Sequence, residues 1–280
     1  YYLIEEKSLK EEKYKELSTI AKIKLEQITD WREERVYEAV FFAKIDRLIK
    51  STQGLINNRN DSEIKNYLQE LLYPTKSSHG YENIFISDIN SDILFSLDSI
   101  YNRADSITAV NISKSIKNDS LLFEDFHFCS VHNKIHLDII SPIKDYDNKI
   151  IAAIVFRINP ADYFFSMIQK WPVYSKTAES ILVKNEGHQI RILSQLRNNQ
   201  NDKMLFTIPI TEKKYVSVKG ALGQKGIIEG QDYENQDVIA DLNSIPGTNW
   251  FIVTKMAREE FYSELIFRTG AIILLTIFVL

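Results

Sequence analysis

Apolar residues recur over the first fifty positions at Leu17, Ala21, Leu25, Ile28, Trp31, Ala39, Phe42 and Ile49, with Arg35 in the same line. Steps of three or four residues, with one longer gap from Phe42 to Ile49, place this set on one face of an α-helix. Lys22, Lys24, Glu26, Arg32, Glu33, Glu34 and Lys44 lie between them and form a solvated face of mixed charge. No Gly or Pro falls between Leu3 and Gln53, so the pattern predicts one helix that ends at Gly54. Fifty helical residues span about 75 Å, more than a small domain is wide. Such a helix must project beyond its domain or pair with a copy of itself. Trp31 and Arg35 read as packing and as a tie between helix and domain. A second helix is expected from Asp61, whose carboxylate can cap it, to a point before Pro74.

Beyond Tyr81 the period changes to short β-type runs separated by turn residues. Residues 84–90 lead into Ile93-Leu94-Phe95, a hairpin turning at 88–91. Residues 181–187 leading into Ile190-Arg191-Ile192 repeat it at an offset of 97. A second block, 154–158 followed by 162–164, recurs as 252–256 followed by 260–262 at an offset of 98. Two blocks repeated in the same order point to a duplicated α+β unit of about 100 residues. In the first copy the expected elements are a helix near 106–117, then strands 123–128, 134–140 and 150–158. Asn159-Pro160 then reads as a helix start, with Asn as N-cap and Pro in the first turn.

The sequence closes on an uncharged run, 269–280, preceded by Glu259, Glu260, Glu264 and Arg268. Twelve helical residues rise about 18 Å, whereas a spanning helix needs about 20 apolar residues. The run is expected to be the start of a transmembrane helix; a buried C-terminal helix is the alternative. The net charge of −4, from 34 basic and 38 acidic residues, excludes the basic footprint of a nucleic-acid binder. The single cysteine, Cys129, cannot form an internal disulfide. A nucleophile elbow, a phosphate loop and a zinc-protease helix motif are all missing, so no enzyme activity is expected of this chain.

The densest chemistry runs from Asp125 to Asp138, with His127, Cys129, His132 and His136 between. Alternation along a strand puts Asp125, His127 and Cys129 on one face, and His136 with Asp138 on another, while Ile135, Leu137 and Ile139 pack. His127, Cys129, His132 and His136 could hold a soft metal, but no metal or other cofactor is expected. Arg103, in the loop before the 106–117 helix, is placed to clamp a carboxylate. Tyr81 and Tyr101 could add hydroxyls. Arg157 and Lys255, equivalent by the repeat, read as stabilisers of strand ends or helix carbonyls.

Three phrases carry a resemblance. They are Lys24-x3-Ile28-x2-Trp31-x2-Glu34-Arg35, the stretch from Trp171 to Ser180, and Gly223-x2-Gly226-x3-Gly230-x-Asp232-Tyr233 ahead of Val238-Ile-Ala and Pro246-Gly-x2-Trp250. Together they resemble the extracytoplasmic sensor region of prokaryotic sensor histidine kinases of the double Cache family, over about Leu17 to Phe261. The resemblance implies an α+β fold in which a long N-terminal helix carries two PAS-like domains with antiparallel sheets, ending in a truncated transmembrane helix. The expected division is 1–54 stalk and dimerisation helix, 55–172 membrane-distal domain, 173–262 membrane-proximal domain and 263–280 start of the membrane helix. It further implies a membrane receptor whose sensor lies outside the cytoplasm, a homodimer through the N-terminal helix, and a small polar or anionic ligand. In a PAS-like unit one sheet face rests on the helix and the other forms the cavity, so Asp125, His127, His136 and Asp138 would line it, with Arg103, Tyr81 and Tyr101 nearby. The Arg-x-Trp-Tyr pattern of the amino-acid-binding members is absent after the first hairpin, which argues against amino-acid sensing. A module that binds a periplasmic protein and takes no small molecule is the alternative.

Overall fold

A computed structural model describes residues 2–98, 103–129, 133–197, 206–263 and 270. The chain forms two compact units, Trp31–Phe164 and Tyr1–Asp30 with Phe165–Leu280, called here the first and second unit. Helix α1 runs from Tyr2 to Ala43 without a break. Within the second unit Leu17 packs with Ile239 and Phe261, and Lys24 donates to the Met167 carbonyl at 2.6 Å. Within the first unit the Trp31 ring meets Phe164 at 4.6 Å and Phe123 at 6.3 Å.

The helix does not continue to Gln53. Lys44 and Ile45 donate to the carbonyls three residues back, and α2 restarts at Asp46–Asn57. The restart shifts the phase, so Leu48, Thr52 and Leu55 are buried where the unbroken stripe pointed to Ile49. Gly54 is not a stop but lies inside α2, where a Cβ would collide with the Ile64 side chain. Helix α3, Ser62–His79, is capped by Asp61, which accepts from the Ile64 N–H at 3.0 Å. It runs through Pro74 to Gly80, which has φ +69. Glu70 and Pro74 are both exposed, so water can satisfy the carbonyl that the missing proline N–H leaves behind.

The first unit holds an antiparallel sheet in the order β2-β1-β6-β5-β3, with β4 also on β5. The strands are β1 Asn83–Asp88, β2 Ile93–Ser96, β3 Leu122–Phe123, β4 His127–Cys129, β5 Lys134–Lys144 and β6 Ile150–Ile158. The 123–128 segment is therefore two short strands, joined by 124–126. Helix α4, Ser106–Asn118, covers one face and packs Ile112 on Phe85, Ile140 and Val155. Asn159-Pro160 opens a turn, with Asn159 Oδ1 accepting from Ala161, and helix α5 starts only at Phe164–Gln169.

The second unit's sheet has the order β10-β11-β12-β7-β8-β9. Its strands are β7 Glu179–Asn185, β8 Gln189–Ile192, β9 Thr207–Pro209, β10 Gly226–Gln231, β11 Asp237–Ser244 and β12 Trp250–Ala257, with α6 at Val216–Ala221. Reading from β8 to β10, this repeats the order of the first sheet strand for strand, as the two sequence repeats require. Gly223 and Gly226 sit at φ +93 and +78, whereas Gly230 is needed for close approach, since a Cβ would lie 2.9 Å from the Lys214 carbonyl. No described helix is long and apolar enough to cross a membrane, and all but Gly270 of the expected membrane run 269–280 lies outside the described residues.

Candidate ligand site

The last residues of β6 build the site. Arg157 lies directly opposite Asp138 on β5, and its side chain points to the α4 face, with the guanidinium 5.5 Å from the Phe85 ring centre. Its Nε donates to Asp138 Oδ1 at 2.9 Å and its Nη2 to Asp138 Oδ2 at 2.7 Å, the two-pronged match that only a guanidinium offers. Nη2 also reaches Asp105 Oδ2 at 2.9 Å and Thr108 Oγ1 at 2.6 Å. Asp105 caps α4 by accepting from the Ile107 and Thr108 N–H groups, so the helix start and the ion pair fix each other. Thr108 Oγ1 is 2.8 Å from both Asp105 Oδ2 and Asp138 Oδ2.

Beside this pair stand Glu124 and two histidines. The Glu124 N–H donates to the Asp138 carbonyl at 2.8 Å, which holds the short 124–126 link against β5. Asn111 Nδ2 donates to Glu124 Oε1, while Glu124 Oε2 has no hydrogen-bond partner. His127 faces His136 across the β4–β5 pair, with ring centres 6.0 Å apart. The His127 side chain is 8% exposed and neither ring nitrogen has a hydrogen-bond partner; Nδ1 lies 3.8 Å from Glu124 Oε1 and Nε2 lies 4.0 Å from Asp105 Oδ1. His136, fully buried, is 3.1 Å from Glu82 Oε2, and Lys134 holds the other Glu82 oxygen at 3.0 Å.

Electrostatics separate the carboxyls. Burial opposes charge on Asp105, but the Thr108 N–H and hydroxyl and then Arg157 outweigh it and hold the group at about 2. Asp138 is also held below its ordinary value, because Arg157 outweighs complete burial. Glu82 is held at about 2, burial being overcome by its bonds to His136 and Lys134. Glu124 goes the other way. Burial, reinforced by the charges of Asp138 and Asp105, pushes it up to about 9, so it keeps its proton at neutral pH. Burial lowers the pKa of His127 and favours the neutral ring. Asp105 and Asp138 against Arg157 leave one buried negative charge in excess.

The cluster opens on a groove of about 600 Å³, between α4 and the β3 segment. Asn111, Lys114, Glu124 and Asp125 supply its polar wall, and Ile107, Val110, Leu122 and Phe123 its apolar one. That size and mixture suit a small molecule.

Of the residues singled out by sequence, His127, His136 and Asp138 meet in this cluster, and Asp125, half-buried, stands in the groove wall. Arg103 does not. Its side chain is 76% exposed and lies 3.7 Å from Asp92, so it is held at the hairpin and not at the cluster. Tyr81 is on the opposite face of the sheet. Its ring packs on Phe156, the neighbour of Arg157 that points the other way, and its hydroxyl donates to Glu38 of α1. Tyr101 and His132 lie outside the described residues. Cys129 is buried opposite Lys134 on β5. The donors that converge around His127 among the described residues are Glu124 and Asp138, not Cys129.

Sequence reasoning missed Asp105, Thr108, Asn111 and Glu124, and gave Arg157 a role at a strand end. The signal for Arg157 was present in the repeat, since Lys255 takes the equivalent place in the second unit. There Lys255 Nζ bonds Asp232 at 2.7 Å and Glu179 at 3.0 Å, and the Tyr233 hydroxyl donates to Glu179 at 2.8 Å. A separate surface group, Glu34, Glu38 and His79, also brings three potential metal donors together.

The Cache domain family model matches residues 5–265. Among solved structures, the sensory domain of the Campylobacter jejuni chemoreceptor Tlp3 (CcmL) superposes with a TM-score of 0.66 at 14% identity, covering 92% of this chain and 98% of that one. The ligand-binding domain of Pseudomonas aeruginosa PctC, an amino acid chemoreceptor in complex with GABA, gives 0.61 at 12%, covering 86% and 98%. The ligand-binding domain of Mlp24 with asparagine gives 0.60 at 10%, covering 92% and 99%. No curated protein matches the chain.

Proposed function

We propose, from the premise that the chain belongs to the Cache domain family, that it is the extracytoplasmic ligand-sensing region of a membrane receptor. The ligand is a small zwitterion seated in the groove of the first unit. One observation carries this reading: a buried cluster with one excess negative charge opens, through Glu124, on a groove whose rim carries Lys114. An ammonium group meets Glu124 and Asp125, and a carboxylate meets Lys114. This narrows the expected polar or anionic ligand to one with a cationic end, and it agrees in kind with the isoleucine, asparagine and GABA bound by the structural neighbours. The Arg-x-Trp-Tyr pattern is missing, so the chemistry of recognition comes from different residues. A ligand that closes the groove shifts the receptor only by its difference in affinity for the open and closed forms.

The uncharged 269–280 run supports attachment to a membrane. The sequence resemblance makes a histidine kinase the output we propose, and ligand-dependent autophosphorylation of the full receptor tests it. Tyr37 and Phe41, exposed on α1 with rings 6.5 Å apart, support a homodimer through this helix, checked by analytical ultracentrifugation.

Calorimetry against amino acids, amines and organic acids tests the ligand class. Zwitterions are expected to bind, and Lys114→Ala is expected to weaken them about 10-fold, the worth of one charged contact of about 1.4 kcal/mol, with little change in the ligand-free melting temperature. Binding confined to dicarboxylates, or unaltered by the variant, overturns the reading.

A further inference from the structure

The buried cluster has a second use that the groove ligand does not require. We infer that Glu124, His127 and Asp138 form a binding site for one first-row divalent transition-metal ion.

One oxygen or nitrogen from each of the three residues falls within 4.8 Å of the others, and all three side chains are buried. Ligand atoms bonded to one ion at about 2.1 Å stand about 3 to 4 Å apart, so small rotations suffice. Two carboxylates and an imidazole are a donor set for zinc, manganese, iron or nickel, harder than the thiolate-containing set that sequence spacing suggested.

Three details point to a ligand and not to a packed polar core. A histidine this buried is normally hydrogen-bonded through at least one nitrogen, whereas neither nitrogen of His127 has a partner and its Nδ1 is turned towards Glu124. Glu124 offers Oε2, which has no partner, while Asn111 steadies Oε1. Asp138 Oδ1 accepts one bond, from Arg157 Nε, and keeps a lone pair. Coordination through Nδ1 would leave His127 Nε2–H directed at Asp105, 4.0 Å away, the outer contact that fixes the tautomer of a metal-bound imidazole.

Charge closes the argument. An entering ion displaces the proton that Glu124 otherwise keeps, after which Asp105, Glu124 and Asp138 bring three negative charges and Arg157 one positive. A divalent ion brings the sum to zero in a site whose three ligand side chains are buried, which is the condition a buried ionic cluster has to meet.

Zinc titration of the chelator-stripped 280-residue chain by calorimetry is the test, with bound metal counted by elemental analysis after dialysis. One ion per chain is expected, with affinity reduced at least 10-fold by His127→Ala and by Glu124→Gln, and unchanged by His79→Ala, which removes the only histidine of the other donor group. Should His127→Ala fail to fold, as judged by circular dichroism, the near-isosteric Glu124→Gln decides. Absence of zinc binding, binding indifferent to both cluster variants, or loss with His79→Ala overturns the inference. The readout contains no groove ligand, so a failed zwitterion screen leaves it standing.

Discussion

Arg157 and Lys255 occupy the same place in two copies of one sheet, yet they are used differently. Lys255 meets Glu179 and Asp232, Tyr233 completes Glu179, and Asp232 Oδ1 takes the Glu234 and Gln236 N–H groups, at 2.9 and 3.0 Å. Two carboxylates face one ammonium there too, but none of the side-chain polar atoms of Lys255, Glu179, Asp232 and Tyr233 is left buried without a partner, and the group locks a sheet to its flanking loop. Arg157 is equally well paired, but its partners Asp138 and Asp105 sit against Glu124 and His127, which keep unused donors and acceptors. A closed polar group adds order, while an incompletely satisfied one costs stability. The cost is borne beside a groove of about 600 Å³, whereas grooves of the second unit among the described residues measure about 440 Å³, beside Trp171 and Arg197, and about 270 Å³, beside Trp250 and Asn185. On the proposed reading, recognition falls to the first copy and stability to the second.

The strongest way to break this contrast is to remove the cations. Arg157→Ala strands two buried carboxylates and is expected to cost about 4 kcal/mol, and Lys255→Ala about 3 kcal/mol, because Asp232 and Glu179 retain backbone N–H donors. Urea denaturation measures both. Only the Arg157 variant should lose ligand binding, and a loss under 1 kcal/mol in either would refute the structural role. Next come the anchors on α1. Trp31→Ala should cost about 3 kcal/mol and weaken the ligand, since Trp31 supports Phe123 in the groove wall. Leu17→Ala, which packs on Ile239 and Phe261 in the second unit, should cost about 2 kcal/mol and leave the affinity alone.

A pH profile sharpens the contrast further. Glu124 binds its proton more tightly in the folded chain, at about 9 against an ordinary 4.5. Its contribution is complete below about 4.5 and is lost as pH rises towards 9, with a slope of up to about 1.4 kcal/mol per pH unit. Asp105 and Glu82, held at about 2, work in the opposite sense, and their stabilisation is lost as pH falls below the ordinary carboxylate range. Stability should therefore peak in mild acid. Glu124→Gln should flatten the alkaline side and leave the acid side, whereas a flat profile in the parent chain would remove Glu124 from the account. The smallest effect belongs to α3. Pro74→Ala restores an N–H donor on an exposed turn and should stabilise the chain by about 1 kcal/mol, seen as a rise in melting temperature.

The fold was legible where local pattern rules. The apolar spacing gave α1, and the two repeats gave the paired sheets, because strands buried on both faces, as β1, β6, β7 and β12 are, leave short apolar runs between turn residues. Leu48 was missed because a break at Lys44 changes the helical phase, and no Gly or Pro marks it. The site was half legible. His127, His136 and Asp138 stand in one short segment, so alternation alone brought them together. Asp105 and Arg157 come from elements 33 and 19 residues from Asp138, and only the register of β5 on β6 and the cap of α4 unite them. Glu124 lies on a link between two very short strands, where alternation fails, and it was passed over in favour of Asp125.

The register opposite the paired cations also bears on descent. Asp138 faces Arg157, but the residue that faces Lys255 is Ala240, and the second unit's counter-ions come from β7 and a loop instead. In a gene that arose by tandem duplication, such relocation frees a strand position from the obligation to carry charge. A lineage can then retune what it detects through substitutions in one half, while the other half maintains the architecture against mutational drift.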